Sequence, residues 1–225
     1  MNIGIFGTGM VGQVVGAALA DKGHEVMIGT RDVAKSLANV EQSQYGMPGF
    51  GEWIKGHPTI KVGTFAEAAA FGELLVNATN GFGSLPALEA AGAANLGSKV
   101  LMDIANPLDF SKGMPPTLFV KDTDSLAEQI QRAFPDLKVV KTLNTMNANV
   151  MVNPKTVAGD STVFVSGNDA AAKATVRGIL EGFGWADIMD LGDLSSARAV
   201  EMLLPIWLRA WGVIGKTPFN FKVVR

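Results

Sequence analysis

No cysteine occurs among the 225 residues, which excludes disulfides, thiolate nucleophiles and cysteine-held metal, and a cytoplasmic setting is the expectation. Two histidines and one tyrosine leave imidazole and phenol chemistry scarce, and no metal site is expected. Tyr45 stands in no Tyr-x-x-x-Lys pattern, which argues against short-chain dehydrogenase chemistry. Charged residues make up only 18% and the net charge is −2, so no basic field exists to attract nucleic acid or an anionic membrane. The longest apolar stretch, Met202 to Ile214, is interrupted by Pro205 and Arg209 and is too short to span a bilayer. The first residues enter an apolar strand without a basic flank or a cleavage site, so no signal peptide is expected.

What is present is apolar and periodic. Hydrophobic residues make up 48%, ample for one large core. Asn2 to Phe6 reads as a strand, Met10 to Lys22 as a helix stopped at Gly23, and His24 to Ile28 as a second strand. Asp32 is placed to cap a helix through Ala34, Leu37 and Val40. Strands at Ile60 to Val62, Leu74 to Ala78 and Lys99 to Asp103 alternate with helices at Thr64 to Phe71 and Ser84 to Ala94. Asp124 to Phe134, Lys138 to Leu143 and Thr162 to Ser166 continue the alternation. The class is therefore α/β: a Rossmann-type, doubly wound, mainly parallel sheet with a small C-terminal helical extension. Residues 1–158 are expected to form the dinucleotide-binding domain. Residues 159–225 are expected to form a small α/β part packed on it and to carry a dimer seam.

Two stretches break the rhythm. Gly46 to Trp53 reads as an irregular segment, either a packed surface loop or a lid over substrate. Asn106 to Pro116 follows a strand, where ligands of open α/β sheets bind. In the tail, Trp207 and Trp211 lie one turn apart on an apolar helix from Leu194, which reads as core or as a dimer seam.

The most specific motif is Gly7-Thr8-Gly9-Met10-Val11-Gly12, set between a strand and a helix. There Gly7 serves the turn, Gly9 gives the pyrophosphate access to the backbone, and Gly12 lets the helix press on the sheet. The anion sits on the helix N-terminus, with Thr8 as a further donor. At the end of the second strand an NAD enzyme places a carboxylate, whereas this chain reads Gly29-Thr30-Arg31. A hydroxyl and a guanidinium suit a 2′-phosphate, so NADPH is favoured, with Lys35 adding charge one turn onward. Asp32 is the opposing signal, answered by its role as a helix cap.

The block Ile3 to Gly12, with Gly23-His24-Glu25-Val26 and Gly29-Thr30-Arg31, resembles the deazaflavin (coenzyme F420)-dependent NADP oxidoreductases, relatives of the reductase domains of membrane metalloreductases. Lys141-Thr142-Leu143-Asn144-Thr145, Asp103-Ile104-Ala105-Asn106-Pro107 and Ala197-Arg198-Ala199-Val200-Glu201 are similar to further segments of that superfamily. The resemblance implies a homodimer and a flavin or deazaflavin facing the nicotinamide. The chain departs from it at Gly46 to Trp53 and at Asn77-Ala78-Thr79-Asn80-Gly81. The expected cofactor-binding set is the glycine turn from Gly7 to Gly12 with Thr30, Arg31 and Lys35, then Asn77, Ala78 and Thr79, then Asn106, Pro107 and Asn144.

Proton donors are few. His24 and His57 read as surface residues, and Lys141 is the candidate acid if burial lowers its pKa, with Asn144 a second candidate. Asn144, Thr145, Asn147 and Asn149 either hold a ligand or cap the following turn. Three functions remain open: hydride transfer between NADP(H) and a flavin or deazaflavin-like acceptor, a carbonyl or imine reductase using Lys141, and a non-catalytic NADPH sensor or scaffold. The expected partner is a small-molecule redox acceptor.

Overall fold

The computed structural model describes residues 1–42, 46–215 and 217–225, so Tyr45 lies outside the described residues. Among the described residues ten strands form: β1 (Asn2–Phe6), β2 (Glu25–Thr30), β3 (Lys61–Thr64), β4 (Leu74–Asn77), β5 (Val100–Asp103), β6 (Leu108–Asp109), β7 (Thr117–Leu118), β8 (Lys138–Thr142), β9 (Thr162–Gly167) and β10 (Asp187–Asp190). The helices nearest the sites are α1 (Met10–Asp21), α2 (Val33–Ala38), α3 (Phe50–Trp53), α4 (Phe65–Phe71), α5 (Gly81–Ala91) and α6 (Ala93–Leu96). Beyond them come α7 (Leu126–Ala133), α8 (Ala148–Val152), α9 (Ala170–Phe183), α10 (Ala197–Met202) and α11 (Leu204–Ile214).

Eight strands share one sheet in the order β10-β9-β8-β5-β4-β1-β2-β3. From β3 to β8 the pairing is parallel, β9 runs antiparallel to β8, and β10 is parallel to β9. Residues beyond 159 thus extend the same sheet at its edge. Successive side chains of a strand leave on opposite faces, so Ile3 and Ile5 join one core and Phe6 the other. The first core packs α1, α8 and α9 through Val15, Val150 and Val176; the second packs α4, α5 and α7 through Phe65, Leu88 and Ile130. Each fully buried aliphatic or aromatic side chain contributes roughly 1.5–3 kcal/mol. The chain winds one way from β1 to β2 and β3 and the other way to β4 and β5, so the crevice of the doubly wound sheet opens between β1 and β4.

Three local expectations are corrected. The helix expected over Ser84 to Ala94 begins at Gly81 and breaks at Gly92, whose φ of +82° suits glycine. Gly46 to Trp53 is not wholly irregular: Phe50–Trp53 closes a helical turn, with Phe50 and Trp53 buried and stacked at 5.7 Å. The C-terminal helix expected from Leu194 is a 3-10 turn at Leu194–Ser196 followed by two α-helices, divided at Leu203 two residues before Pro205, which lacks the N–H that an uninterrupted helix would use.

Candidate functional site

Each glycine of the first turn answers a different steric demand. Gly7 has φ +118°, and a Cβ there would lie 2.7 Å from the Ala78 carbonyl oxygen. At Gly12 a Cβ would lie 2.0 Å from the Gly7 carbonyl oxygen, so only glycine lets α1 start this close to β1. A Cβ at Gly9 would meet nothing within 4 Å, so the space over the N-terminus of α1 is open. Gly9 is the N-cap of that twelve-residue helix and brings no side chain to it, which leaves the first turn to an external anion. The buried Gln13 reaches back to donate to the Thr8 carbonyl at 3.0 Å and holds the turn, a role the motif does not reveal.

Beside this turn a cavity of about 980 Å³ runs past Thr30, Arg31, Lys35 and Ser36 to Ala78 and Pro86. The hydroxyls of Thr30 and Ser36 are 2.7 Å apart. Ser36 is a wall residue that sequence reading missed, because only the fold of α2 over the end of β2 brings it there. Arg31 and Lys35 are exposed, and neither side chain has a hydrogen-bond or ion-pair partner among the described residues. Asp32 accepts the Lys35 backbone N–H at 2.9 Å, so its carboxylate is engaged as the expected cap. Two free cations beside a hydroxyl pair match a phosphate monoester better than a ribose diol.

A second cavity of about 870 Å³ shares the wall Ala78, Thr79, Asn80 and Phe82 with the first. It lies beyond the ends of β4, β5 and β8, under the hairpin of β6 and β7, and is closed by Met146, Met151 and α11. Trp207 and Trp211, read from sequence as core or dimer seam, form part of this wall together with Leu204. Asn106 and Asn144 also line it and satisfy one another: Asn144 Nδ2 donates to Asn106 Oδ1 at 2.9 Å, and Asn106 Nδ2 donates to the Asn144 carbonyl at 2.8 Å. Asn144 also donates to the Val200 carbonyl at 3.0 Å. Asn147 caps α8 through Val150 N–H and lines the cavity as well, while Asn149 is exposed outside it. Trp53 and both histidines lie outside both walls. His57 stacks on Trp53 at 4.2 Å, and partial burial lowers the pKa of His24.

Lys141 differs most from expectation. It is fully buried and lines neither cavity; its Nζ lies 2.9 Å from Asp103 Oδ2 and 2.9 Å from Glu201 Oε1, and it also donates to the Ala105 carbonyl. Burial alone would lower its pKa, but the Asp103 and Glu201 carboxylates outweigh that effect and hold it above the ordinary lysine range. Asp103 in turn accepts from Asn77 Nδ2 at 2.8 Å, and Asn77 Oδ1 accepts from the Thr79 hydroxyl at 2.7 Å. At the other end Glu201 accepts the Leu126 and Ala127 N–H groups at the N-terminus of α7, at 2.8 and 3.2 Å. An unbroken buried polar chain therefore runs from the wall between the cavities to α10. Among the described residues no cluster of metal-ligating side chains occurs, and no helix is long and apolar enough to cross a membrane.

The family model described as coenzyme F420-dependent NADP oxidoreductase matches residues 2–107. A crystal structure of a candidate F420-dependent NADP reductase from Arthrobacter sp. FB24 is 57% identical, with 100% of both chains covered and a TM-score of 0.94. A hypothetical protein from Sinorhizobium meliloti is 20% identical, with 88% of this chain and 87% of that chain covered and a TM-score of 0.63. An imine reductase from Streptomyces aurantiacus is 18% identical, with 95% of this chain and 63% of that chain covered and a TM-score of 0.63. The last two likenesses concern the fold alone. No curated protein matches.

Proposed function

This chain belongs to the coenzyme F420-dependent NADP oxidoreductase family, and from that premise we propose that it transfers hydride between NADP(H) and a flavin or deazaflavin-like ring held in the 870 Å³ cavity. The observation that carries the reading is the shared wall Ala78 to Phe82, with free cations on one side and an apolar, aromatic chamber on the other. The open approach to Gly9 and the steric fit of Gly7 and Gly12 suit a pyrophosphate over α1. Thr30, Arg31, Lys35 and Ser36 hold the 2′-phosphate. When bound, the nicotinamide supplies the hydride. Asn106 and Asn144 fix the floor of the chamber, and the methionine and tryptophan walls exclude water from it.

A flavin-type ring spreads the charge it receives, so the site needs orientation more than a proton donor. That fits a chamber whose nearby lysine is locked into two ion pairs. Mixing the protein with NADPH and riboflavin, FMN, FAD or a deazaflavin tests the reading: oxidation is expected with at least one ring, and none with any would refute it. We further propose a homodimer, because α11 turns Ile206 (55% exposed) and Val213 (89% exposed) outward. Analytical ultracentrifugation is expected to give twice the chain mass.

A further inference from the structure

Asp103, Lys141 and Glu201 are buried behind the wall of the 870 Å³ cavity and line neither cavity themselves. One ammonium faces two carboxylates, so one negative charge is left over. Both carboxylates meet only donors. Asp103 takes Lys141 Nζ, Asn77 Nδ2 at 2.8 Å and the Ala105 N–H at 3.3 Å, while Glu201 takes Lys141 Nζ and the Leu126 and Ala127 N–H groups. Burial pushes the pKa of Glu201 up, and the Lys141 ammonium and the Leu126 N–H pull against it. Asp103 adjoins the wall: Ile104, Ala105 and Asn106, which follow it, line the cavity, as do Ala78 and Thr79, which follow its partner Asn77. Glu201 stands on the other side of Lys141.

In the proposed reaction the cofactor changes charge at one place. Loss of hydride from C4 leaves the nicotinamide ring a cation, the acceptor ring takes the hydride, and solvent supplies the proton that completes its reduction. The phosphates are the same before and after, so the first turn of α1, which reaches this cavity through Met10 and Val11, holds both forms alike. A charge behind the wall is felt in the difference between the two forms, and buried charge is little screened by water or salt. Asp109 adds the same sign from the wall itself. Half-buried, it accepts the Ser111 N–H at 2.8 Å, and that bond and the nearby Lys112 keep its pKa below the ordinary carboxylate range. We propose that Asp103, Lys141 and Glu201 together favour the cationic ring of NADP⁺ over the neutral ring of NADPH, and so make bound NADPH a stronger hydride donor. They touch no reacting atom and act as positioning residues, through their field. The inference rests on NADP(H) being the cofactor held at this wall.

Calorimetric titration with NADP⁺ and, separately, with NADPH, in the absence of any acceptor, gives the ratio of the two affinities. A fold that is merely loosened weakens both and leaves the ratio unchanged. Asp103→Asn is expected to move the ratio about fivefold toward NADPH, and Glu201→Gln about twofold in the same direction. The fivefold change raises the midpoint potential of the bound couple by about 20 mV. Asp103→Glu keeps the charge and is expected to keep the ratio near that of the parent. Should Asp103→Asn not fold, Glu201→Gln carries the test alone. An unchanged ratio in the folded neutral variants, or a shift toward NADP⁺, would overturn the inference and leave the nucleotide reading standing. Binding of neither form by the parent would overturn both. A shifted ratio without turnover on any ring would remove hydride transfer alone.

Discussion

Lys141 Nζ stands 2.9 Å from Glu201 Oε1, tying the end of β8 to α10, the helix that leads into the chamber wall. With Asp103 on its other side, the lysine links two carboxylates that would otherwise be buried without a countercharge. Lys141→Met is expected to destabilise the protein by about 3–5 kcal/mol, a fall in Tm of roughly 10 °C for a chain of this size. Thermal unfolding followed by circular dichroism checks this. Glu201→Gln keeps the shape and the Leu126 contact and is expected to cost less than Lys141→Met. Equal stability of Lys141→Met and the parent would mean that the ion pairs hold nothing.

The same geometry fixes a pH dependence. With its pKa raised in the folded state, Lys141 contributes stability that is fully present below the ordinary lysine pKa and is lost only as pH rises through the higher folded value. Asp109, shifted downward, stays ionised through neutrality. Neither group titrates in the working range, so kcat/KM for NADPH with a flavin-type ring is expected to be flat from roughly pH 7.5 to 9, above the second ionisation of the 2′-phosphate itself. A limb in that range that vanishes in a Lys141 variant would instead mark a general acid.

Gly9 and Gly12 are expected to fail in different ways. Gly9 has φ −76°, which alanine adopts readily, and its Cβ would meet only open space. Gly9→Ala is therefore expected to cost less than about 1 kcal/mol of stability while weakening NADPH binding at least tenfold. Gly12→Ala would drive a methyl into the Gly7 carbonyl, and overpacking of this kind costs about 1–3 kcal/mol, so Tm and affinity fall together. Calorimetric titration beside thermal melts separates the two.

The proposed 2′-phosphate site assigns to Arg31 and Lys35 the choice between the two nicotinamide cofactors. Arg31→Ala is expected to raise KM for NADPH roughly tenfold or more, as loss of a charge-assisted contact does, and to leave KM for NADH nearly unchanged. Steady-state kinetics with both cofactors reads this directly. Equal losses for the two would mean that Arg31 does not contact the 2′-phosphate.

The strand, turn and helix at the start of the chain were legible because each demand is local: apolar run, glycine spacing, helix periodicity. Asp32 was legible for the same reason, as a cap three residues before the N–H it accepts. Gly51 misled: it reads as a breaker, yet a Cβ there would lie 1.9 Å from the Leu37 carbonyl, so it is the residue that lets α3 pack on the end of α2. The setting of Lys141 was not legible, because its partners lie 38 and 60 positions away and their approach is a property of the folded sheet. The antiparallel pairing of β9 with β8 is equally silent in an apolar pattern that serves either direction. The 870 Å³ cavity gathers residues from the ends of three strands, a hairpin and the C-terminal helix, so its wall existed in no single motif.

The central claim is direct hydride transfer from NADPH to a ring positioned across the Ala78 to Phe82 wall. NADPH deuterated at the transferring face of C4, incubated with the protein and 5-deazariboflavin, tests it most directly, because the C5 position of a reduced deazaflavin retains the isotope. Mass spectrometry is predicted to find deuterium at C5 of the reduced ring, with a matching loss of NADPH absorbance. Absence of turnover, or a reduced ring whose new C5 hydrogen comes from solvent, would contradict the account.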